Sequence, residues 1–160
     1  MIRPWSRLSP RSRQFLAAFL AMAGLLGGCA SPDTLSPFST DGCSRFPDGS
    51  VLNGKKDWGH CCISHDRAYW RGGTADDRRK ADEALRTRVQ ESTGNAILAT
   101  MMYKGVRIGG SPYWPTRFRW GYGWGYGRKY RSLTPAESAE ADQREAEYEA
   151  EAARQTRRRI

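Results

Sequence analysis

The stretch Cys61-Cys62-Ile63-Ser64-His65-Asp66, followed by Tyr69, constrains this chain more than any other. Read as a helix, it places Cys62, His65, Asp66 and Tyr69 three to four residues apart on one face. That face carries an anchoring thiol, an imidazole that titrates near neutral pH, a carboxylate that can serve as a hard oxygen ligand, and a phenol. His65 and Asp66 are adjacent, so base and ligand can point into one cleft. Gly72-Gly73 stops the helix, which is predicted from about Trp58 to Trp70. Thr74 caps a second helix, with Asp76 and Asp77 in its first turn, where they suit the helix dipole. That helix runs to about Glu91, with Ala81, Leu85 and Val89 as its apolar stripe. Asp82 sits at the edge of the stripe. A carboxylate there is costly without a partner, so a partner is expected.

A third helix is predicted over Asn95 to Val106. Ile97, Met101, Lys104 and Ile108 share one stripe, with Leu98, Met102 and Tyr103 beside it, and the helix is expected to close the core. Met101 and Met102 are also suited to line an irregular apolar channel. Residues 109–131 alternate glycine with Tyr and Trp. From Arg119 to Tyr126 the pattern has a period near two, which suits a strand or hairpin with one aromatic face. Trp, Tyr, Arg and Lys together also suit a membrane–water interface; the other reading is that the aromatics cover a small core. Thr134-Pro135-Ala136-Glu137 is a capping box, and the charged sequence after it reads as a solvated helix or a frayed tail without chemistry.

The N-terminal region has a different composition. Arg3, Arg7, Arg11 and Arg13 precede the twelve-residue apolar run Phe15–Leu26, too short for a comfortable membrane span. Leu26-Gly27-Gly28-Cys29 reads as a bacterial lipobox, with residues 1–28 removed and Cys29 acylated. The domains are then a lipoprotein signal peptide at 1–28, a Ser/Pro/Thr-rich tether at 29–40, a folded domain at 41–133 and a charged tail at 134–160. The expected location is the cell envelope, lipid-anchored to a bacterial outer membrane and facing the periplasm, where disulfides persist. The full chain carries +9, and residues 36–133 hold seventeen basic and nine acidic residues. Such a domain suits anionic lipid or nucleic acid. Export favours a phospholipid membrane, and no nucleic-acid-binding motif is present. A monomer is expected.

Cys-Cys-x-x-His-Asp with a tyrosine four residues after the histidine resembles the catalytic helix of secreted phospholipases A2. Thr40-Asp41-Gly42-Cys43-Ser44-Arg45-Phe46-Pro47-Asp48 is similar to the short calcium loop of the prokaryotic branch. The likeness covers roughly residues 40–90, with its parts in the family's order. It implies a mainly α, small disulfide-tied domain with two antiparallel catalytic helices; the residues add a third packing helix and an aromatic, glycine-rich segment, irregular or hairpin, to which the family offers no counterpart. It implies a Cys43–Cys62 disulfide, which leaves Cys61 without its usual partner and expected as a buried free thiol. It also implies Asp82 as the partner of His65 and Tyr69, with these three as the catalytic set. The ion implied is Ca2+, held by the Asp41 and Asp66 side chains and the Gly42 carbonyl, with Asp48 a lesser candidate. The activity implied is hydrolysis of the sn-2 ester of a glycerophospholipid at a membrane surface, with His65 activating water.

Two other readings stand beside it. The chain could be a non-catalytic, phospholipase-like lipid-binding or structural lipoprotein, since one disulfide partner is missing and the loop departs from the glycine-rich animal form. His60, Cys61, Cys62 and His65 could instead form a metal site, although adjacent cysteines do not match the usual zinc spacings.

Overall fold

A computed structural model describes residues 33–44, 46 and 58–159. The signal segment 1–28, Cys29 and Asp48 lie outside the described residues. Four helices follow in order: α1 (Gly59–Arg71), α2 (Ala75–Thr93), α3 (Ala96–Gly109) and α4 (Pro135–Arg159). The protein is mainly helical. No strand forms among the described residues, and the nearest approach to one is an isolated bridge between Leu35 and Trp124.

The helix limits follow local chemistry. Thr74 and Asp77 form a reciprocal capping box at the start of α2, and Gly94 ends it in the left-handed conformation at φ 66°. The Asn95 side chain accepts from the backbone N–H groups of Ile97 and Leu98 to open α3. Thr134 and Glu137 cap α4 in the same reciprocal way.

Helix α2 lies between α1 and α3, and one apolar cluster fills the space among them. Cys43, Trp58, Cys61, Cys62, Leu85, Val89, Ala99 and Met102 are its buried members. Cys43 and Cys62 are bonded at 2.06 Å, which ties the loop before α1 to the helix face carrying His65, and Cys61 is free and buried. The bridge closes a loop of 19 residues. Replacing both cysteines by Ala should lower the unfolding free energy by about 3 kcal/mol, through the restored entropy of the open chain. Urea unfolding measures this, and a loss below about 1 kcal/mol would show that the loop is held mainly by other contacts.

The strand-like alternation at 109–131 does not produce a hairpin. The segment winds through turns and closes the C-terminal end of α1. The last carbonyls of a helix have no partners within it, and here the aromatic segment supplies them. Gly121 and Gly123 donate backbone N–H groups to the carbonyls of Tyr69 and Trp70. The indole N–H groups of Trp124 and Trp120 donate to the carbonyls of Arg71 and Gly73. The glycines allow this close approach: a Cβ on Gly123 would lie 2.4 Å from the Trp70 ring, and one on Gly110 2.4 Å from the Tyr69 ring. Trp120 and Trp124 are buried, whereas Tyr113, Trp114 and Tyr126 are exposed. The core-covering reading therefore holds for the first two.

Three further expectations are corrected. Residues 33–40, the described part of the expected tether, are packed as a strap. Leu35 and Phe38 join Trp70, Trp124 and Ala141 in a second buried cluster, and the Trp70 indole donates to the Ser36 carbonyl. Composition suggested a linker, but two apolar residues three apart were enough to seat the segment. The stripe expected to bury α3 faces outward: Ile97, Met101 and Ile108 are 75%, 55% and 74% exposed. The buried side is the opposite one, through Ala99 and Met102. Helix α3 is apolar on two sides, and the side holding Lys104 faces solvent because an ammonium there stays hydrated. Helix α4 is docked as far as Glu149 rather than free. Tyr148 meets Phe38 edge to face, and Arg67 and Arg71 on α1 pair with Glu149 and Asp142.

Candidate functional site

A cleft of about 620 Å3 opens between α1, α3 and the loop before α1. His65, Asp66 and Tyr69 line it from α1, and Asp41 and Gly42 from the loop. Leu85, Met101, Met102, Val106 and Phe118 supply apolar wall. The helical spacing of His65 and Tyr69 turns both toward α2, where Asp82 is wholly buried at 0% exposure.

Asp82 is the hub. Its Oδ1 accepts from the Tyr69 hydroxyl at 2.8 Å and lies 2.8 Å from Nε2 of His65. Its Oδ2 accepts from Arg107 at 2.7 Å. Burial pushes the Asp82 carboxyl up, but its bonds to His65, Arg107 and Tyr69 together hold it below the ordinary range. It is an anion at neutral pH, so the His65 nitrogen facing it carries the proton. Nδ1 is then the ring nitrogen left to accept a proton. Tyr69 is pushed well above a normal phenol by burial and by the Asp82 charge, so it stays a donor.

Two residues of this network were not anticipated. Arg107 is one. The other is buried Arg78, which donates to the Tyr69 hydroxyl at 3.0 Å, to the Tyr130 hydroxyl at 2.8 Å and to the carbonyls of Val106 and Arg107 at the end of α3. An arginine in the first turn of a helix ordinarily reads as solvated. Its signal was the spacing Arg78–Asp82, which places a cation one turn from a carboxylate already expected to be buried.

On the other side of the cleft, the Thr40 hydroxyl donates to Asp66 at 2.5 Å. Burial pushes the Asp66 carboxyl up to about 6, against that hydrogen bond and the neighbouring His65, while the Asp41 charge adds to the rise. Asp41 accepts from the Ser44 hydroxyl at 2.6 Å and from Arg117 at 3.3 Å. Gly42 follows at φ 72°, a turn that suits glycine. Among the described residues no group of three or more His, Cys, Asp and Glu side chains gathers as a metal site. The side-chain oxygens on this wall come from two carboxylates, Asp41 and Asp66, and the Thr40 hydroxyl.

An acid whose pKa is higher folded than unfolded favours the folded state while protonated. The Asp66 contribution is thus present below its unfolded value of 3.8 and is lost as pH rises through about 6. In chelator, Asp66→Asn should gain stability relative to the parent as pH rises through that window. Thermal unfolding of both proteins across it is the measurement. A difference that stays constant with pH would show that Asp66 titrates normally.

The metal reading through His60, Cys61, Cys62 and His65 does not survive. Cys62 is consumed in the disulfide, and His65 is turned to Asp82. His60 instead lies 3.4 Å from the Cys61 sulfur and 3.3 Å from the Ser92 hydroxyl. Ser64 donates back to the His60 carbonyl and takes no part in the site. A scan against family models and searches of curated proteins and of solved structures return no match for the chain.

Proposed function

We propose that the protein is a calcium-dependent phospholipase A2-like hydrolase, anchored in the cell envelope through Cys29 and acting on the sn-2 ester of glycerophospholipids. The observation that carries this reading is the His65 Nε2–Asp82 Oδ1 contact of 2.8 Å in a cleft that has oxygen ligands on one wall and methionines on another. In this reading α1 and α2 are the antiparallel catalytic pair, joined by the short link at residues 72–74.

His65 takes a proton from water at Nδ1, and the water oxygen bonds to the ester carbonyl carbon. On collapse the carbon–oxygen bond to glycerol breaks, and the alkoxide recovers the proton from His65. Asp82, fixed by Tyr69 and Arg107, holds the ring in the tautomer this requires. Met101, Met102 and Val106 exclude water from the acyl chain. Asp41, Asp66 and the Gly42 carbonyl would hold calcium, which when bound supplies charge stabilisation to the oxyanion and the phosphate. No covalent nucleophile is needed.

The test is fatty-acid release from phosphatidylglycerol vesicles by the exported, full-length gene product, with calcium and with chelator. Release only in calcium is expected. Vesicle binding without release at any calcium level would assign the chain to the non-catalytic lipid-binding reading.

A further inference from the structure

Apart from Met101 at the cleft, the outward side of α3 has no part in the chemistry above. Ile97, Met101 and Ile108 project from one face of the helix within about 40° of each other, at 100° per residue, and Lys104 lies on the same face. The surface continues beyond the helix. The Trp114 indole donates to the Ile108 carbonyl at 3.1 Å, which holds the ring beside that face, and Trp114 is itself 54% exposed. It also reaches the cleft, since Met101 lines the cleft while remaining more than half exposed. The result is a contiguous apolar strip that shares an edge with the opening over His65. Exposed apolar surface of this continuity marks a contact site.

Its charge indicates what makes the contact. Residues 92–136 contain seven Lys and Arg and no Asp or Glu at all. This acid-free run includes all of α3 and the aromatic segment. Arg119 and Arg128 are buried, and Arg107 and Arg131 pair with Asp82, Asp33 and Glu137, so the cations it presents outward are Lys104, Arg117 and Lys129. Arg117, at the cleft wall, is exposed, and its carboxylate partner Asp41 comes from the preceding loop. A second copy would set this cationic surface against itself, and a partner without negative charge would gain nothing from it. An anionic surface satisfies both the apolar strip and the surrounding cations, and Trp beside Lys and Arg is the side-chain set that a membrane–water interface selects.

We propose that the α3 outer face, with Lys104 and Trp114, is the seat on which the protein rests on an anionic phospholipid bilayer. This seat turns the cleft opening toward the headgroups and makes anionic lipid the preferred substrate class. The substrate preference rests on the hydrolase reading; the seat itself does not.

The test places an environment-sensitive fluorophore on Ile108→Cys in the exported full chain. Cys61 is buried and the other described cysteines are bonded to each other, so the label is directed to position 108. A matched protein carries Ala150→Cys on the acidic part of α4. Both are measured in chelator, so that ester cleavage plays no part. Phosphatidylglycerol vesicles should shift the emission at position 108 to the blue, phosphatidylcholine vesicles should do so far less, and the label at 150 should stay unchanged. Lys104→Glu should lower the fraction of shifted label at limiting lipid at least about fivefold. Three results would overturn the seat: no shift at 108, an equal shift at 150, or a shift at 108 that appears without lipid as protein concentration rises, which would make the face a contact between copies. A shift with no fatty-acid release in calcium would keep the seat and remove the hydrolase.

Discussion

His65→Gln should lower calcium-dependent ester cleavage by about 10²–10⁴-fold, the range that a positioned general base contributes. Glutamine is chosen because its amide N–H can still donate to Asp82, so the bond that ties α1 to α2 is kept while the basic nitrogen is lost. His65→Ala removes both and mixes loss of base with loss of packing. The rate should fall without a matching loss in thermal stability, and vesicle binding should be unchanged. A variant that retains more than about a tenth of the parent rate would remove His65 from the role of base. The cleft would then need another proton acceptor, and Asp66, pushed up to about 6 by burial, is the group to examine next.

Asp82→Ala should cost about 3–5 kcal/mol of folding stability, the range for removing one partner of a buried charged pair. Three donors converge on this carboxylate, from His65, Tyr69 and Arg107. Its removal leaves the Tyr69 hydroxyl to Arg78 and the Val106 carbonyl, and leaves Arg107 without its carboxylate. Asp82→Asn keeps the shape and one acceptor, so its cost should be nearer 1–3 kcal/mol. Activity should fall in both, because the ring loses the anion that fixes its tautomer. Urea unfolding at neutral pH gives the comparison, and Arg107→Ala completes a double-mutant cycle. The Asp82 carboxyl is held below its ordinary range, so its contribution is present above the unfolded value of 3.8 and is lost as pH falls through the folded one. An Asp82→Ala protein as stable as its parent would mean that the cluster is held by apolar packing alone.

The region of α1 and α2 was legible because its signals are local. Gly72-Gly73, Thr74 with Asp77, and Asn95 mark helix ends by backbone chemistry that needs no tertiary contact. The expectation that Asp82 has a partner came from its place beside an apolar stripe. The partners His65 and Tyr69 came from the phospholipase resemblance, not from spacing. Arg107 was invisible for a physical reason: an arginine near the end of α3 reads as solvated until the crossing of α2 and α3 is known. The face of α3 was misread because two opposite sides of that helix are apolar, and periodicity alone does not choose between them. Lys104 was the discriminating residue. The aromatic segment defeated the period-two rule because its glycines make room for Tyr69 and Trp70, and do not mark turns between strands. Leu35 and Phe38 sit in a Ser- and Pro-rich stretch whose average composition concealed two core residues.

The packed strap from Asp33 to Thr40 has a mechanical consequence. With acyl chains on Cys29, only four residue steps separate the lipid from Asp33, which is pinned by Arg128 at 3.3 Å and by Arg131. At full extension that leash reaches at most about 14 Å. The domain could then rotate about its anchor but could not leave the leaflet that holds it, and the local concentration of headgroups at the cleft would be set by tether length. A domain so moored would sample its own membrane many times before meeting another, and lengthening the leash between residues 29 and 33 would be the direct way to widen its reach.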